Sequence, residues 1–351
     1  MRILGLSFGF HDAGACMLQD EVIEFAGHSE RYSKQKNDAW INHELVNAAI
    51  EGGKPDVIAL HEKAWLKKLR HLYGGNWSAL HEPTQRQWIK KFYPQLKDIP
   101  IVDFAHHQTH AAAGVLSSNF DECAVMCIDA IGEFDTATIW QWQDGTLKKM
   151  HQTSFPSSLG LFYSAITHHV GLKPMEDEYI LMGMAAYGKP ENWKPLSKKM
   201  GKRFFRMKHP WMSHRKTIQM KENLQRGLPK NSFVGVDEFD MAAAAQDKLD
   251  QRVNAYAQYA KEITGSNNLV YMGGVALNCV ANSLLFDIFK NIFIMPNPGD
   301  CGSSLGAAAL ELYSKTGKRV DWKTPYLGHN IEGKYPIKKA LKSLKEGELF
   351  G

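Results

Sequence analysis

His106 and His110 stand four residues apart in AHHQTHAAAGV, where small apolar residues follow and predict a closely packed helix. On a helix that spacing turns both imidazoles to one face, as a metal ion requires of two helical histidines. An isolated pair of this kind is more often a plain helix-surface feature, so partners are needed. Two carboxylates offer themselves. Asp129 ends the apolar strand that follows at once, and Asp300 sits in the Gly-rich turn NPGDCGSSLGAA before a further helix. Two imidazoles and two carboxylates make a nitrogen and oxygen set suited to iron(II), manganese or zinc, with positions left for a substrate oxygen. His107, about 100° further round the helix, points elsewhere and either serves the substrate or packs.

A second pattern is YMGGVALNCVAN. Here a strand ends in Gly273-Gly274 and a helix starts near Ala276, with Asn278 in its first turn. Glycines let the backbone approach a ligand, and free N–H groups at a helix start favour phosphate or ribose. Alone, such a Gly-Gly is more often turn chemistry; with the turn GDCGSSLG, which contains Gly302, it forms a nucleotide clamp.

These residues need a frame, and the frame repeats. ILGLSFGFHDAGACMLQDEVIEFAG is a strand, a small-residue loop carrying His11-Asp12, and a hairpin turning at Gln19-Asp20-Glu21. CAVMCIDAIGEFDTATIWQWQDGTLKKMHQ repeats the plan, with Asp129 and Glu133 in the loop and a turn at Gln143-Asp144-Gly145. Helices are expected at 42–52, 107–118, 158–170, 238–264, 276–288 and 303–316, and two further strands at 268–274 and 291–296. The pattern predicts two similar α/β lobes around a central cleft: 1–120, then 121–317, with 318–351 as a C-terminal extension. Residues 190–235 are basic, hold four prolines and lack periodicity, so they read as an insertion or lid outside the core.

Composition sets outer limits. Hydrophobic residues make up 44% and charged residues 23%, a soluble globular balance. No apolar run reaches the roughly 18 residues of a membrane span, and the N-terminus lacks the longer apolar core of a signal peptide. Five cysteines, an odd number in mostly apolar contexts, fit reduced thiols and a cytoplasmic protein. The net charge of +5 admits an anionic partner without demanding one.

In order along the chain, HHxxH, Asp-x-x-Gly-Glu, SLGLFY, MGMAAYG, GGVALNCVAN and GDxGSSLGAA resemble the O-carbamoyltransferases of antibiotic and nodulation-factor biosynthesis. The likeness spans about residues 1–330. It implies duplicated actin-like, sugar-kinase-like (RNase H-like) lobes, similar to those of tRNA threonylcarbamoyl-transfer proteins. It also implies iron bound by His106, His110, Asp129 and Asp300, and His11 and Asp12 facing the active site. Glu30, Arg31 and Lys36 in SERYSKQK match the family's EERxxxxK stretch, with Lys36 a contact to the carbamoyl nucleotide; Gly273, Gly274 and Asn278 match its nucleotide-binding turn. In that family carbamoyl phosphate and ATP yield carbamoyl adenylate, which an acceptor hydroxyl attacks. A base takes the hydroxyl proton, for which His11 and Asp12 are candidates and His107 a third.

The chain departs from the family at Ile180-Leu181, where Lys is usual before MGLAxYG, and at Ala130, where Gly is usual. The family's carbamoyl-adenylate-forming domain should begin about where SLKEGELFG stands, so a separate domain or protein is an expected partner. For the acceptor, Lys198 to Lys216 carries eight Lys or Arg and no acid, interleaved with Phe204, Phe205 and Trp211. WLKKLRHLYGG and RQWIKKFYPQLK repeat the theme. Cations among aromatics suit phosphates and unstacked bases, which makes 5-hydroxymethylcytosine of phage-type DNA the first acceptor to consider. A small hydroxylated molecule or sugar is the alternative. A non-catalytic nucleotide-binding scaffold is the alternative from another class, and tRNA threonylcarbamoyl transfer ranks below these.

Overall fold

A computed structural model of the protein describes residues 1–205, 219–229 and 231–328. Each half of the chain builds a five-stranded sheet on one plan. The first contains β1 (Arg2–Ser7), β2 (Gly14–Gln19), β3 (Val22–His28), β4 (Val57–Leu60) and β5 (Ile101–Asp103), in the order β3-β2-β1-β4-β5. The second contains β6 (Cys123–Ile128), β7 (Asp135–Gln143), β8 (Thr146–Ser154), β9 (Asn268–Met272) and β10 (Asn291–Phe293). Read from its other edge, its order β8-β7-β6-β9-β10 is the same. In both sheets the first three strands form an antiparallel meander, and the last two add in parallel. The fold is therefore a duplicated α/β design, as the repeat implies.

The central strands RILGLS and CAVMCI show no alternation, because helices and the opposite lobe cover both of their faces. Asp144 and Gly145 both take positive φ, 51° and 70°, between β7 and β8. That pair matches the two-residue turn whose twist suits a hairpin.

Around the first sheet lie α1 (Glu30–Ser33), α2 (His43–Ala49), α3 (Ala64–Tyr73), α4 (Gln85–Phe92) and α5 (His106–Ser117). The second half adds α6 (Leu159–His169), α7 (Glu178–Met184), α8 (Pro190–Phe204), α9 (Glu238–Thr264), α10 (Cys279–Ser283) and α11 (Ser303–Thr316). The last helix of each half crosses over. α5 packs on β6 and β9 of the second sheet, while α11 packs on β1, β2 and β4 of the first. The two helices also pack on each other, Gly306 against Thr109 and Ala113, and the alanines 111–113 and 307–309 around this contact are all fully buried. Contact is backbone-close. A Cβ on Gly306 would lie 1.9 Å from the Thr109 carbonyl oxygen, and one on Gly5 1.9 Å from that of Ser304.

Two expectations need correction. Residues 276–288 do not form one helix: 3₁₀ turns at Gly274–Leu277 and Leu284–Asp287 flank the short α10. Asn278 is the cause. Its backbone is extended (φ −79°, ψ 92°), and its side chain accepts the Ala281 N–H, competing with helical continuation. The stretch 190–235 is also not wholly outside the core. α8 buries Leu196, Met200 and Phe204, and Phe205 follows them into the core of the second half. The two phenylalanines are therefore unavailable for stacking on bases. Of the stretch Lys198–Lys216, residues 206–216, Trp211 included, lie outside the described residues, as does 329–351 of the C-terminal extension.

All five cysteines are free thiols; Cys16, Cys123, Cys127 and Cys301 are buried and Cys279 is exposed. Among the described residues no helix is long and apolar enough to cross a membrane.

Gly306→Ala should cost about 2 to 3 kcal/mol in urea unfolding, because the added methyl enters the α5–α11 contact and overpacks it. Gly183→Ala, in α7 with open space around its Cβ, should leave the midpoint unchanged or slightly raised.

Candidate functional site

The α5–α11 contact delivers four groups to one point. His106 and His110 come from the start of α5, Asp129 follows β6, and Asp300 lies in the turn before α11. His110 Nε2 is 3.1 Å from His106 Nε2, 3.1 Å from Asp129 Oδ2 and 3.2 Å from Asp300 Oδ1. His106 Nε2 is 3.3 Å from each of the same two carboxylate oxygens. All four residues are buried.

The surroundings hold each ligand atom in place. His110 Nδ1 faces Ser303 Oγ at 3.0 Å, which leaves Nε2 for the cluster. The other oxygen of Asp129 accepts the Ala130 N–H at 2.7 Å and the Gly274 N–H at 3.4 Å. α5 has no side-chain cap of its own, and Glu133 replaces one from the second half. Its carboxylate accepts the His106 N–H at 3.0 and 3.1 Å, and also the Lys63 N–H at the start of α3.

Burial alone would keep His106 and His110 neutral, but Asp300 and Asp129 outweigh it and raise both imidazoles. The same carboxylates are held well below the usual range by those histidines, although burial opposes this. Four such donors, crowded at hydrogen-bonding distance in a buried site, call for positive charge at their centre. A divalent cation supplies it with ligand separations of about 3 Å, so the residues fit a metal.

His11 touches the cluster from the first half. Its Nε2 is 3.6 Å from Asp300 Oδ2 and its Nδ1 is 3.0 Å from Asp12 Oδ2. Burial works against charge on His11, but Asp300 and Asp12 lift its pKa to about 9. Asp12, despite partial burial, is lowered to about 2 by His11 and His28. Its φ of 49° is left-handed, a strained conformation that an Asp tolerates in a tight loop. His28 Nε2 lies 3.2 Å from Asp12 Oδ1.

A cavity of about 260 Å³ opens beside this group. His11, Asp12 and Asn37 line it from the first half, and Asp129, Tyr163, Glu176, Glu178, Gly274 and Asn278 are among its walls from the second. Asn278 Oδ1 accepts from Gln246 Nε2 at 3.0 Å, and Tyr163 donates to Gln246 Oε1 at 2.7 Å.

The structure brings His106, His110, Asp129, Asp300, His11, Asp12, Gly274 and Asn278 together. It does not bring the rest. His107 is buried against β7, where its Nδ1 is 3.0 Å from Thr138 Oγ1, and it does not line the cavity. Thr138 Oγ1 also accepts the Trp140 Nε1–H at 2.8 Å. Lys36 is exposed and 3.3 Å from Glu30 Oε1, and its neighbour Asn37 reaches the cavity instead. Gly273 and Gly302 serve close packing: a Cβ at Gly273 would meet the Ile128 oxygen at 2.3 Å, and one at Gly302 the Asn297 oxygen at 1.9 Å.

Sequence reading missed Ser303, His28 and the part played by Glu133. Only the β2–β3 register, which pairs His28 with Gly14, carries His28 to Asp12. Ser303 was visible as the first residue of a helix next to a candidate ligand.

The family model described as "Carbamoyltransferase N-terminus" matches residues 58–309. An uncharacterised protein of Synechocystis sp. is 34% identical over 88% of this chain and 56% of its own length. The nodulation protein NolNO of Sinorhizobium fredii is 26% identical over 86% of this chain and 46% of its own. A 3'-hydroxymethylcephem-O-carbamoyltransferase of Amycolatopsis lactamdurans is 23% identical over 89% of this chain and 60% of its own. The chain thus spans roughly half the length of the curated relatives it matches. Among solved structures, component A of (R)-2-hydroxyglutaryl-CoA dehydratase from Acidaminococcus fermentans superposes with a TM-score of 0.51, 15% identity, and 91% and 100% of the two chains covered. Full-length HypF superposes with a TM-score of 0.50 at 14% identity, over 92% of this chain and 47% of its own. Both share the actin-like fold.

His110→Ala or Asp300→Asn should abolish retention of any divalent cation, iron(II), manganese or zinc, that the unsubstituted chain retains in elemental analysis after gel filtration. Ser303→Ala should weaken it roughly 10- to 100-fold by freeing the His110 ring.

Proposed function

Because the chain belongs to the carbamoyltransferase family, matched through its N-terminal domain, we propose that it moves a carbamoyl group from carbamoyl adenylate to an acceptor hydroxyl. Carbamoyl phosphate and ATP are the source of the adenylate in this reading, in which the first lobe ends near residue 120, the second near 317, and the enzyme is cytoplasmic. The observation that carries the reading is the contact of His11 with Asp300, which sets an ionisable imidazole beside a metal-type cluster.

His106, His110, Asp129 and Asp300 would hold the ion, iron(II) in this reading, with manganese or zinc able to use the same donors. Such an ion polarises a carbonyl or phosphoryl oxygen as a Lewis acid. The chain's own residues do the rest. Asp12 orients His11 through Nδ1; a cation held by Asp300 would draw off the negative charge that lifts the His11 pKa, leaving Nε2 able to accept the acceptor's hydroxyl proton. The acceptor oxygen bonds to the carbamoyl carbon, the carbon–oxygen bond to the phosphate breaks, and AMP leaves. Gly274 and Asn278 line the side of the cavity suited to the nucleotide, next to the buried Tyr163–Gln246–Asn278 hydrogen-bond chain.

As acceptor we place 5-hydroxymethylcytosine in DNA first, on the distribution of cations and aromatics outside the core. A small hydroxylated acceptor is the second reading, and Glu176 and Glu178 on the cavity wall favour it, since acids there suit a cationic or polyhydroxylated molecule. A non-catalytic scaffold has no use for four converging metal-type donors.

The test supplies carbamoyl adenylate directly to the iron-loaded chain, with hydroxymethylcytosine DNA and, separately, small hydroxylated acceptors. Mass spectrometry should show one carbamoyl group gained by one class. His11→Asn should lower turnover roughly 10²- to 10⁴-fold while iron content stays at the unsubstituted level. No transfer to any acceptor by loaded protein would sink the proposal.

A further inference from the structure

Residues 63–97 carry eight Lys or Arg and one acid, Glu82. They fold as α3, a 3₁₀ turn at Trp77–Leu80, α4 and a short connection. Trp65, Leu69 and Tyr73 recur at every fourth residue of α3 and so share one face, and that face is turned to solvent. Trp65 is 59% exposed, Tyr73 74% and Trp77 70%. Three large rings left open within thirteen residues are costly to hydrate unless something covers them.

A neighbouring face of α3 lines a second cavity, of about 220 Å³, together with Gly9, Glu62, Gln85 and the tryptophans 40 and 88. Trp40 and Trp88 stack on each other with centroids 4.0 Å apart, and make a flat aromatic wall. Gln85 is only 6% exposed, and its Oε1 has no hydrogen-bond partner. Its Nε2 is already used, donating to the Phe8 oxygen. An unpaired buried amide oxygen on an aromatic-walled cavity suits a ligand that brings a planar ring and an N–H donor.

The segment is also joined to the catalytic cleft. Its first residue, Lys63, donates to Glu133, which caps the histidine helix. Lys67 lies 5.7 Å over the Phe10 ring, and Phe10 stands 4.7 Å from the His11 ring.

We propose that residues 63–97 bind a single polynucleotide strand, with bases stacked on the exposed rings of α3 and one base seated against Trp40 and Gln85. Lys67 and Arg86 pair with Glu62 and Asp103, while Lys90, Lys91 and Lys97 have no ion pair among the described residues; that surplus charge selects a phosphate backbone, and open rings select unpaired bases. This rests on the DNA-acceptor reading for its purpose, but not for its test. A strand held there runs past Phe10 to His11, where an unstacked hydroxymethylated base would meet the transfer site.

The full chain is titrated against a fluorescein-labelled oligothymidylate by anisotropy at two salt concentrations. Binding should weaken as salt rises. Trp65→Ala, Tyr73→Ala and Trp77→Ala should each weaken it roughly tenfold, and Lys90→Glu with Lys91→Glu should flatten the salt dependence. All of these side chains are exposed, so thermal melting should be unchanged, and transfer to a small acceptor should be unaffected. No binding by the unsubstituted chain, or equal binding by the ring variants, overturns the surface. A dimer seen by sedimentation and dissolved by the same substitutions also overturns it, and gives the face to a second copy. Binding that the variants lose, while hydroxymethylcytosine gains no carbamoyl group, upholds the surface and removes DNA as acceptor.

Discussion

Everything at the site depends on how closely α5 and α11 approach. Gly306 lets the backbone of one helix touch the carbonyl of the other at Thr109, one residue before the second histidine of the cluster. From that contact the rest is nearly forced. The start of α5 presents His106 and His110, the start of α11 presents Ser303 with Asp300 just before it, and β6 ends between them at Asp129. The helices have also exchanged sheets, so each lobe is covered in part by the other's last helix. The ligands are consequently held by packing across the whole molecule rather than by a local loop.

Such a centre costs stability in isolation. Two histidines and two carboxylates buried at hydrogen-bonding distance are a poor apolar core, and without a cation they rely on shared protons. The chain offsets this with backbone donors: Ala130 and Gly274 on Asp129, and Glu133 answering the free N–H groups where α5 and α3 begin. Glu133 also links the first half to the second. One carboxylate thus helps both the helix that carries the metal-type donors and the segment proposed to hold a strand.

Much of this was legible in the residues. The two meanders, their turns, α9 and α11 follow from hydrophobic runs, Asp-Gly chemistry and caps, all local signals. The four clustered donors were legible because each sits at a strand end or helix start. What could not be read was long-range. His28 depends on strand register, and Ser303 on the direction of a buried ring. The break at Asn278 turns on a side chain choosing its own backbone over the helix. Charge misled in another way: the aromatics of the most basic stretch that are described, Phe204 and Phe205, pack inward, with Arg203 over the Phe204 ring and Arg252 of α9 over that of Phe205. The less conspicuous stretch at 65–75 keeps its rings outside, whereas that at 86–97 exposes Phe92 and buries Tyr93.

The distribution of thiols gives the protein a built-in reporter. Burial pushes the Cys123 thiol up to about 12, and raises Cys16, Cys127 and Cys301 as well, so none of the four supplies thiolate near neutrality. Cys279 alone among the five is exposed, and its sulfur lies 3.8 Å from that of Met182 on the cavity wall. A maleimide dye under native conditions would therefore attach at one position, at the lip of the cleft. Its emission would report what enters the cavity without any engineered cysteine.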